Sequence, residues 1–568
     1  MGTMDVENVN LRSEVIGAVP VIRRFMERIA LDELLDRYVP SKELGRQPKI
    51  PHARALSVMV TNVLLSRQAL YAVPAWAGAH APELLGLDEP AVTCLNDDRI
   101  GRALDRLYEV DPSSLMTAVV TRAVREFGID LDQMHNDTTT VTFSGGYEGQ
   151  KSKEALGRPP LITFGHNKDH RPDLKQLVYS LTISSDGAVP VHYKTYDGNT
   201  TDDQTHIETW KIVRSIRGSS DFMYVADSKL CTRKNMRFID DEGGRFVTTV
   251  PRSRKEDDDF RSYLQTNTVP WQEVFRKKAP DDSDKPDQVY EAVELAMTSG
   301  EGFRLVWYRS SVKTALDEKR RLKKIMRARE RLEQLADRSG AHAFRSIDRA
   351  RQAADRVLEE EGAKRWLAVD FSEKPLYDLK QIGPGRPGRE TEYRRVQKGV
   401  RIVFHIEENV DVIQADARCD GIFAMMTNDR SQSPAELLVI YKYQPFLEKR
   451  NEQLKSVLSV APVFLKKPER VAALLFVYFL AVLIFALIER EIRRAMRKAE
   501  LEALPLYPED RDCRAPTADG VFRVIEDHRR HHLVDGAGNV LRTFHDPVSP
   551  VARKVIKLLQ IPKAHYGL

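Results

Sequence analysis

The chain has 568 residues, enough for three or four ordinary domains. Hydrophobic residues make up 42% and charged residues 30%, which excludes a disordered, collagenous or disulfide-scaffold protein. Lys and Arg number 88 against 83 Asp and Glu, so the net charge of +5 permits nucleic-acid binding only through a local basic surface.

The four cysteines, Cys94, Cys231, Cys419 and Cys513, are far apart. They form no CxxC zinc pattern and suit a reducing cytosol. The opening residues, MGTMDVENVNLRSEVIGAVPVIRRF, lack the basic, apolar and small-residue regions of a signal peptide.

Residues 1–128 read as helical. VIRRFMERIALDELLDRYV (21–39) and ARALSVMVTNVLLSRQALYAV (53–73) place apolar residues at three-and-four spacing. Such helices suit DNA binding or dimerisation, and equally a plain helical cap. From 129 the pattern changes. IDLDQMHNDTTTVTFSG alternates as a strand into a turn at Gly145–Gly146. Residues 174–199 read as a hairpin turning at Asp186-Gly187. An amphipathic helix (205–217), a short apolar strand (221–230) and a strand stopped by proline (245–251) follow, so 129–252 is mixed α/β.

Residues 253–419 interrupt that pattern. A charged stretch (253–285) precedes two strands (289–299, 302–311). Residues 314–361 read as a charged helical hairpin broken near Ser339-Gly340, a solvated face whose basic half could touch phosphates. A β-rich stretch (365–415) contains an exposed loop, PGRPGRET (384–391). The α/β pattern resumes with a strand at 420–428, and 433–500 is almost wholly helical. The tail, 501–568, opens Pro-rich and ends in short pieces. Val471 to Ile488 carries no charge. It stands at the length threshold for a membrane span, or is a helix buried on all sides.

Three carboxylates stand out by position. Asp137 lies inside a strand, where Asp is depleted. Asp227 ends a short apolar strand, and ligands bind at strand ends in α/β sheets. Glu448 lies in YKYQPFLEKRNEQLK (441–455), just before the apolar helix. Three carboxylates without Cys or His suit Mg²⁺, with Mn²⁺ able to substitute. Two such ions about 4 Å apart can clamp the attacking and leaving oxygens of a phosphodiester.

These features resemble a DDE transposase of the bacterial insertion-sequence type. Asp137 in HNDTTT and Asp227 in YVADSKL resemble the first two acids. Tyr441, Gln444, Glu448 and Lys455 match the spacing of one branch's Tyr-Arg-Glu-Lys signature, with Gln444 where that branch has Arg and with Pro445 beside it. GHNKDHRPDLKQL (165–177) and DGNTTD (197–202) resemble segments flanking the first two acids. The interval from Asp227 to Glu448 is more than twice that from Asp137 to Asp227, matching the branch's β-rich insertion.

The resemblance implies an α/β fold. An RNase H-like core (129–252 and 420–500) would be interrupted by an insertion (253–419), with an all-α N-terminal domain (1–128) for DNA-end binding or dimerisation and a C-terminal tail (501–568). It implies two Mg²⁺ ions, bridged by Asp137 and held also by Asp227 and Glu448. Tyr441 and Lys455, one face of a continuous helix, would hold phosphates, with Lys168, Arg171 and Lys229 as further DNA contacts. The 471–488 helix would be buried against the sheet, with no membrane. The partners would be double-stranded DNA, as terminal inverted repeats and target, and a second copy in a homodimer that pairs two ends. The location would be cytoplasmic, on the nucleoid. The competing readings are another RNase H-like metal nuclease, a degenerate transposase that only binds DNA, and a membrane-associated protein.

Overall fold

The computed structural model describes residues 9–568 except 42–48, 111, 144–146, 148–158, 170, 280–285, 340–342 and 458–464. The turn expected at Gly145–Gly146 and the break at Gly340 lie outside the described residues. The chain divides into two compact units: residues 1–248 with 437–568, and residues 249–436.

The first unit opens with a strand, β1 (Asn10–Val15), where only helices were expected. Helices follow at Val19–Arg28, Leu31–Tyr38, His52–Leu65, Asp97–Glu109 and Pro112–Phe127. Their apolar stripes, including Phe25, Leu56, Val60 and Leu104, are buried. Asn96 caps Asp97–Glu109 through its side chain, and Asp97 and Asp98 complement the helix N-terminus.

The α/β part is built from β2 (Gln133–Phe143), β3 (Lys175–Ser184), β4 (Pro190–Tyr196), β5 (Met223–Ala226) and β6 (Arg245–Thr249). In space the order is β4-β3-β2-β5-β6. β2, β3 and β4 pair antiparallel, and β5 and β6 run parallel to β2. The β3–β4 turn passes through Gly187, whose φ of +80° needs glycine; a Cβ there would also come within 2.8 Å of the Arg490 side chain. β5, Met-Tyr-Val-Ala, is wholly buried, as a parallel strand covered on both faces must be.

The second unit carries β7 (Gln272–Lys277), β8 (Gln288–Val293), β9 (Arg304–Ser310), β10 (Leu367–Gln381), β11 (Tyr393–Glu408) and β12 (Ile422–Thr427). β12-β9-β8-β7 is an antiparallel series. β10 and β11 form a separate two-stranded ribbon. The charged hairpin is the helices Ser311–Ala336 and Ile347–Glu360. Its outer face is solvated, but Ile325, Ala328, Leu332, Ala354 and Val357 make an apolar seam within it. The last part of the expected β-rich stretch is instead a helix, Val410–Arg418, capped by Asn409.

The chain then returns to the first unit. The expected continuous helix through Tyr441 and Lys455 is broken: one helix ends at Tyr441, another runs Gln444–Glu452, and Lys455 sits in a wide π-type turn, Gln453–Val457. Pro445 explains the break, because it has no N–H to donate and its ring would strike the Tyr441 carbonyl. The helix Pro468–Lys498 follows. Of its 18-residue apolar window 89% is buried inside the protein, against β4 and the helices His52–Leu65 and Asp97–Glu109. Phe479 stacks on Tyr193 of β4 at 4.8 Å. The tail adds β13 (Arg529–Val534) and β14 (Val540–His545). β13 pairs with both β1 and β14, which gives the N-terminal strand its partner.

Candidate active site

Asp137 and Asp227 stand on neighbouring parallel strands. Asn136 of β2 is in register with Ala226 of β5, so the aspartates are the next residue of each strand path. Asp227 is fixed where β5 ends: its carboxylate accepts the Lys229 N–H at 2.9 Å, and its carbonyl accepts the Thr248 hydroxyl at 2.6 Å.

Lys168 pairs with Asp137 and with a further acid, Asp202. Its ammonium is 3.5 Å from Asp137 and 3.1 Å from Asp202. It also donates to the Thr138 carbonyl at 2.6 Å and the Thr138 hydroxyl at 2.8 Å. Burial pushes the Asp137 carboxyl up to about 6; Lys168 opposes this, and Asp227 and Asp202 add to it. Burial likewise raises Asp227. Burial works against a charged Lys168, but the surrounding aspartates outweigh it and raise its pKa. The result is a half-buried acidic cluster with one ammonium in it.

The loops that carry Lys168 and Asp202 are stacked backbone to backbone. A Cβ on Gly165 would lie 2.0 Å from the Gly198 carbonyl oxygen, and one on Gly198 would lie 2.0 Å from that of Gln176. Only glycine permits this approach. Buried Gln176 ties the loops by donating to the carbonyls of His166 (3.2 Å) and Gly198 (2.7 Å). Asn167 shapes the turn by accepting the Asp169 N–H.

The helix Gln444–Glu452 docks on β2 through Gln444. The His135 Nδ1–H donates to the Gln444 carbonyl oxygen at 2.9 Å, and the Gln444 amide donates to the Asn136 carbonyl at 3.3 Å. Burial holds His135 neutral, down to about 4. A neutral amide therefore suits the position where the signature has Arg, since a cation there would face an uncompensated buried site. Two turns on, the Asn451 amide donates to Asp137 at 3.4 Å. Arg450 anchors the same helix to the β3–β4 turn, donating to the carbonyls of Ala188 (2.9 Å) and Gly187 (3.1 Å), and pairs with buried Glu489 at 2.9 Å.

The structure thus brings together Asp137, Asp227 and Lys168 of the expected residues. Glu448 is on the docked helix but exposed. Among the described residues no three His, Cys, Asp or Glu side chains gather as a metal site. The expected three-carboxylate set is therefore not assembled here, because the buried face of this helix is taken by Gln444, Leu447 and Asn451. Lys455 pairs with Asp169 at 2.7 Å, beside Lys168 in sequence. Arg171 is turned to solvent in a bidentate pair with Asp173. Lys229 is exposed and meets Asp227 through its backbone. Tyr441 is half-buried at its helix end. Sequence reasoning missed Asp202 and Asn451 as site residues, although DGNTTD had marked the segment that ends in Asp202.

Two carboxylates at adjoining strand ends fit a hard divalent cation, which is commonly held by one or two protein carboxylates and completed by water and phosphate. Burial raises both carboxyls even with Lys168 in place, so a bound cation would stabilise their charged forms.

Residues 11–121 match a family described as a domain of unknown function, DUF4277. A comparison with curated proteins returns no match. Among solved structures, the chain has a likeness to a piggyBac transposase synaptic complex with hairpin DNA, determined by cryo-EM. The identity is 12% and the TM-score 0.25, over 48% of this chain and 58% of that one, so the chain spans less than two thirds of that transposase.

Proposed function

We propose that the chain is a DNA transposase of the DDE type, which cleaves phosphodiesters at the ends of a mobile element and transfers the 3′-hydroxyl into DNA. The observation that carries this reading is the Asp137–Lys168–Asp227 cluster at the ends of two adjoining parallel strands. The order β4-β3-β2-β5-β6, with three antiparallel strands followed by two parallel ones, supports an RNase H-like core around it.

In this reading Asp137 and Asp227 would hold Mg²⁺, or Mn²⁺ in its place, and Glu448, exposed on the neighbouring helix, would complete a two-ion site once DNA is bound. The metal, when bound, lowers the pKa of an attacking water or 3′-hydroxyl and stabilises the leaving oxygen. The chain's own groups do the rest. Lys168 keeps the carboxylates partly neutralised before DNA arrives and then presents its ammonium to the reacting phosphate. Lys455 and Tyr441 flank that phosphate, and Asn451 and Gln444 keep the helix bearing Glu448 against β2. The partners are terminal-repeat and target duplexes, with a dimer pairing two ends in the cytoplasm.

The test uses the full chain and a labelled duplex carrying the gene's native flanking ends, in Mg²⁺ or Mn²⁺. Wild type should nick at the element boundary. Asp137→Asn, Asp227→Asn and Glu448→Gln should each lose at least about a hundredfold in rate while still binding the duplex. Undiminished nicking by Asp137→Asn would sink the reading. The exposed position of Glu448 favours one alternative, a transposase-derived protein that binds DNA without cutting it. Wild type that binds but never nicks, in either metal, would select it.

A further inference from the structure

The β10–β11 ribbon begins in packed structure and leaves it. At its base Leu367 is buried, and Val369, Phe371, Phe404 and Ile406 pack on the seam of the charged hairpin. Beyond Phe371 and Ile402 the packing stops. From Glu373 to Arg401 no residue is buried. The paired stretch from Lys374 to Gln381 therefore extends roughly 27 Å at about 3.4 Å per residue, as a two-stranded ribbon with neither face covered. Such ribbons are marginal on their own.

Its chemistry is lopsided. Residues 374–401 hold eight Lys and Arg against three Asp and Glu, a net +5 equal to that of the whole chain. Lys398 is paired with Asp378 at 3.1 Å. Elsewhere like charges face each other: Lys374 is opposite Arg401, and Lys380 is opposite Arg394. Directly opposed like charges destabilise a ribbon, and an anionic partner relieves the cost. The other face continues the core-facing side outward and exposes Tyr377 (50%) and Leu379 (67%). The connecting loop adds Arg386 and Arg389 among Gly383, Gly385 and Gly388, with open space where each Cβ would be.

We propose that this ribbon and its loop are an arm for duplex DNA. Lys374, Lys380, Arg394 and Arg401 neutralise phosphates, and Arg386 and Arg389 at the slender tip enter a groove. Strands about 4.8 Å apart make a ribbon that the major groove, about 12 Å wide, accepts. Charge decides against a second copy of the chain as the occupant, because that would bring two +5 surfaces together. The choice of polyanion rests on the DNA-acting reading above; none of the carboxylates is involved.

The test is fluorescence anisotropy of the full chain on a labelled random-sequence duplex, in EDTA, across a salt series. The arm variant is Lys380→Gln, Arg386→Gln, Arg389→Gln and Arg394→Gln together, all exposed positions. A control removes equal charge elsewhere, with Arg553→Gln, Lys554→Gln, Lys557→Gln and Lys563→Gln. Both are checked for a wild-type thermal midpoint. The salt slope of the arm variant should fall by about 2, at about 0.9 for each of the phosphate contacts of Lys380 and Arg394, and its affinity by at least about tenfold, with the control near wild type. An equal fall in arm variant and control overturns the arm. So does an unchanged slope, with or without loss of a dimer in sedimentation. Wild type that binds no duplex sinks both the arm and the DNA-acting reading. Wild type that binds with the expected slopes but does not cut keeps the arm and removes only the catalysis.

Discussion

Replacing Asp137 with Asn should stabilise the protein while abolishing its proposed chemistry. Burial and two neighbouring carboxylates, against the pull of Lys168, hold Asp137 at about 6 from an ordinary 3.8. A carboxyl raised on folding binds its proton more tightly in the folded chain, so folding is penalised once the pH is high enough to remove that proton. The penalty is about 3 kcal/mol above pH 7, about half that at pH 5, and vanishes below about pH 3. Asn is nearly isosteric, carries no charge and keeps an oxygen for Asn451. Asp137→Asn should therefore exceed wild type by up to about 3 kcal/mol at pH 8, with the advantage shrinking toward pH 5. Denaturant titrations at both pH values, free of divalent ions, measure it. Added Mg²⁺ should stabilise wild type and not the variant. A variant less stable than wild type at pH 8, or a difference independent of pH, would refute the argument that burial penalises the charged Asp137 carboxylate.

Three buried histidines act in the opposite sense. Burial holds His135 at about 4, His192 at about 3 and His206 at about 4, all below an ordinary 6.5. Their contribution is intact above pH 6.5 and is lost as the pH falls toward 4, by up to about 3 kcal/mol each. His135→Gln should thus move the acid-unfolding midpoint, followed by tryptophan fluorescence, to lower pH; an unmoved midpoint contradicts this. The Arg450–Glu489 pair is 3% and 4% exposed. Arg450→Met should cost about 3–5 kcal/mol by breaking this buried pair and leaving Glu489 only the more distant Arg493, at 3.6 Å, as a cation, and Glu489→Met in the same chain should restore much of it, read by thermal unfolding. Leu483 is fully buried. Leu483→Ala should cost about 2–5 kcal/mol, and wild type should be extracted without detergent. Recovery only in the membrane fraction would revive the spanning reading of Val471–Ile488.

The sequence by itself determined what depends on near neighbours. The alternation of 129–143 marked β2 and its odd acid, Asp137. The run Met-Tyr-Val-Ala placed Asp227 at a strand end, and three-and-four spacing marked the N-terminal helices. Pro445 carried its own warning, and the structure breaks the helix there. Only the tertiary structure decided which groups meet. Lys168 reaches Asp202 because two loops stack through Gly165 and Gly198. Asn451, not Glu448, lies against Asp137, because Gln444 and Arg450 set the rotation of their helix against β2 and the β3–β4 turn. β1 became a strand because β13, more than five hundred residues later, offers it an edge. The β10–β11 stretch reads only as β-rich with an exposed loop, and its isolation follows from the absence of a covering layer beyond Phe371 and Ile402. Periodicity records which face of an element avoids water; the rotation and register of one element against a distant one come from packing, which no local window contains.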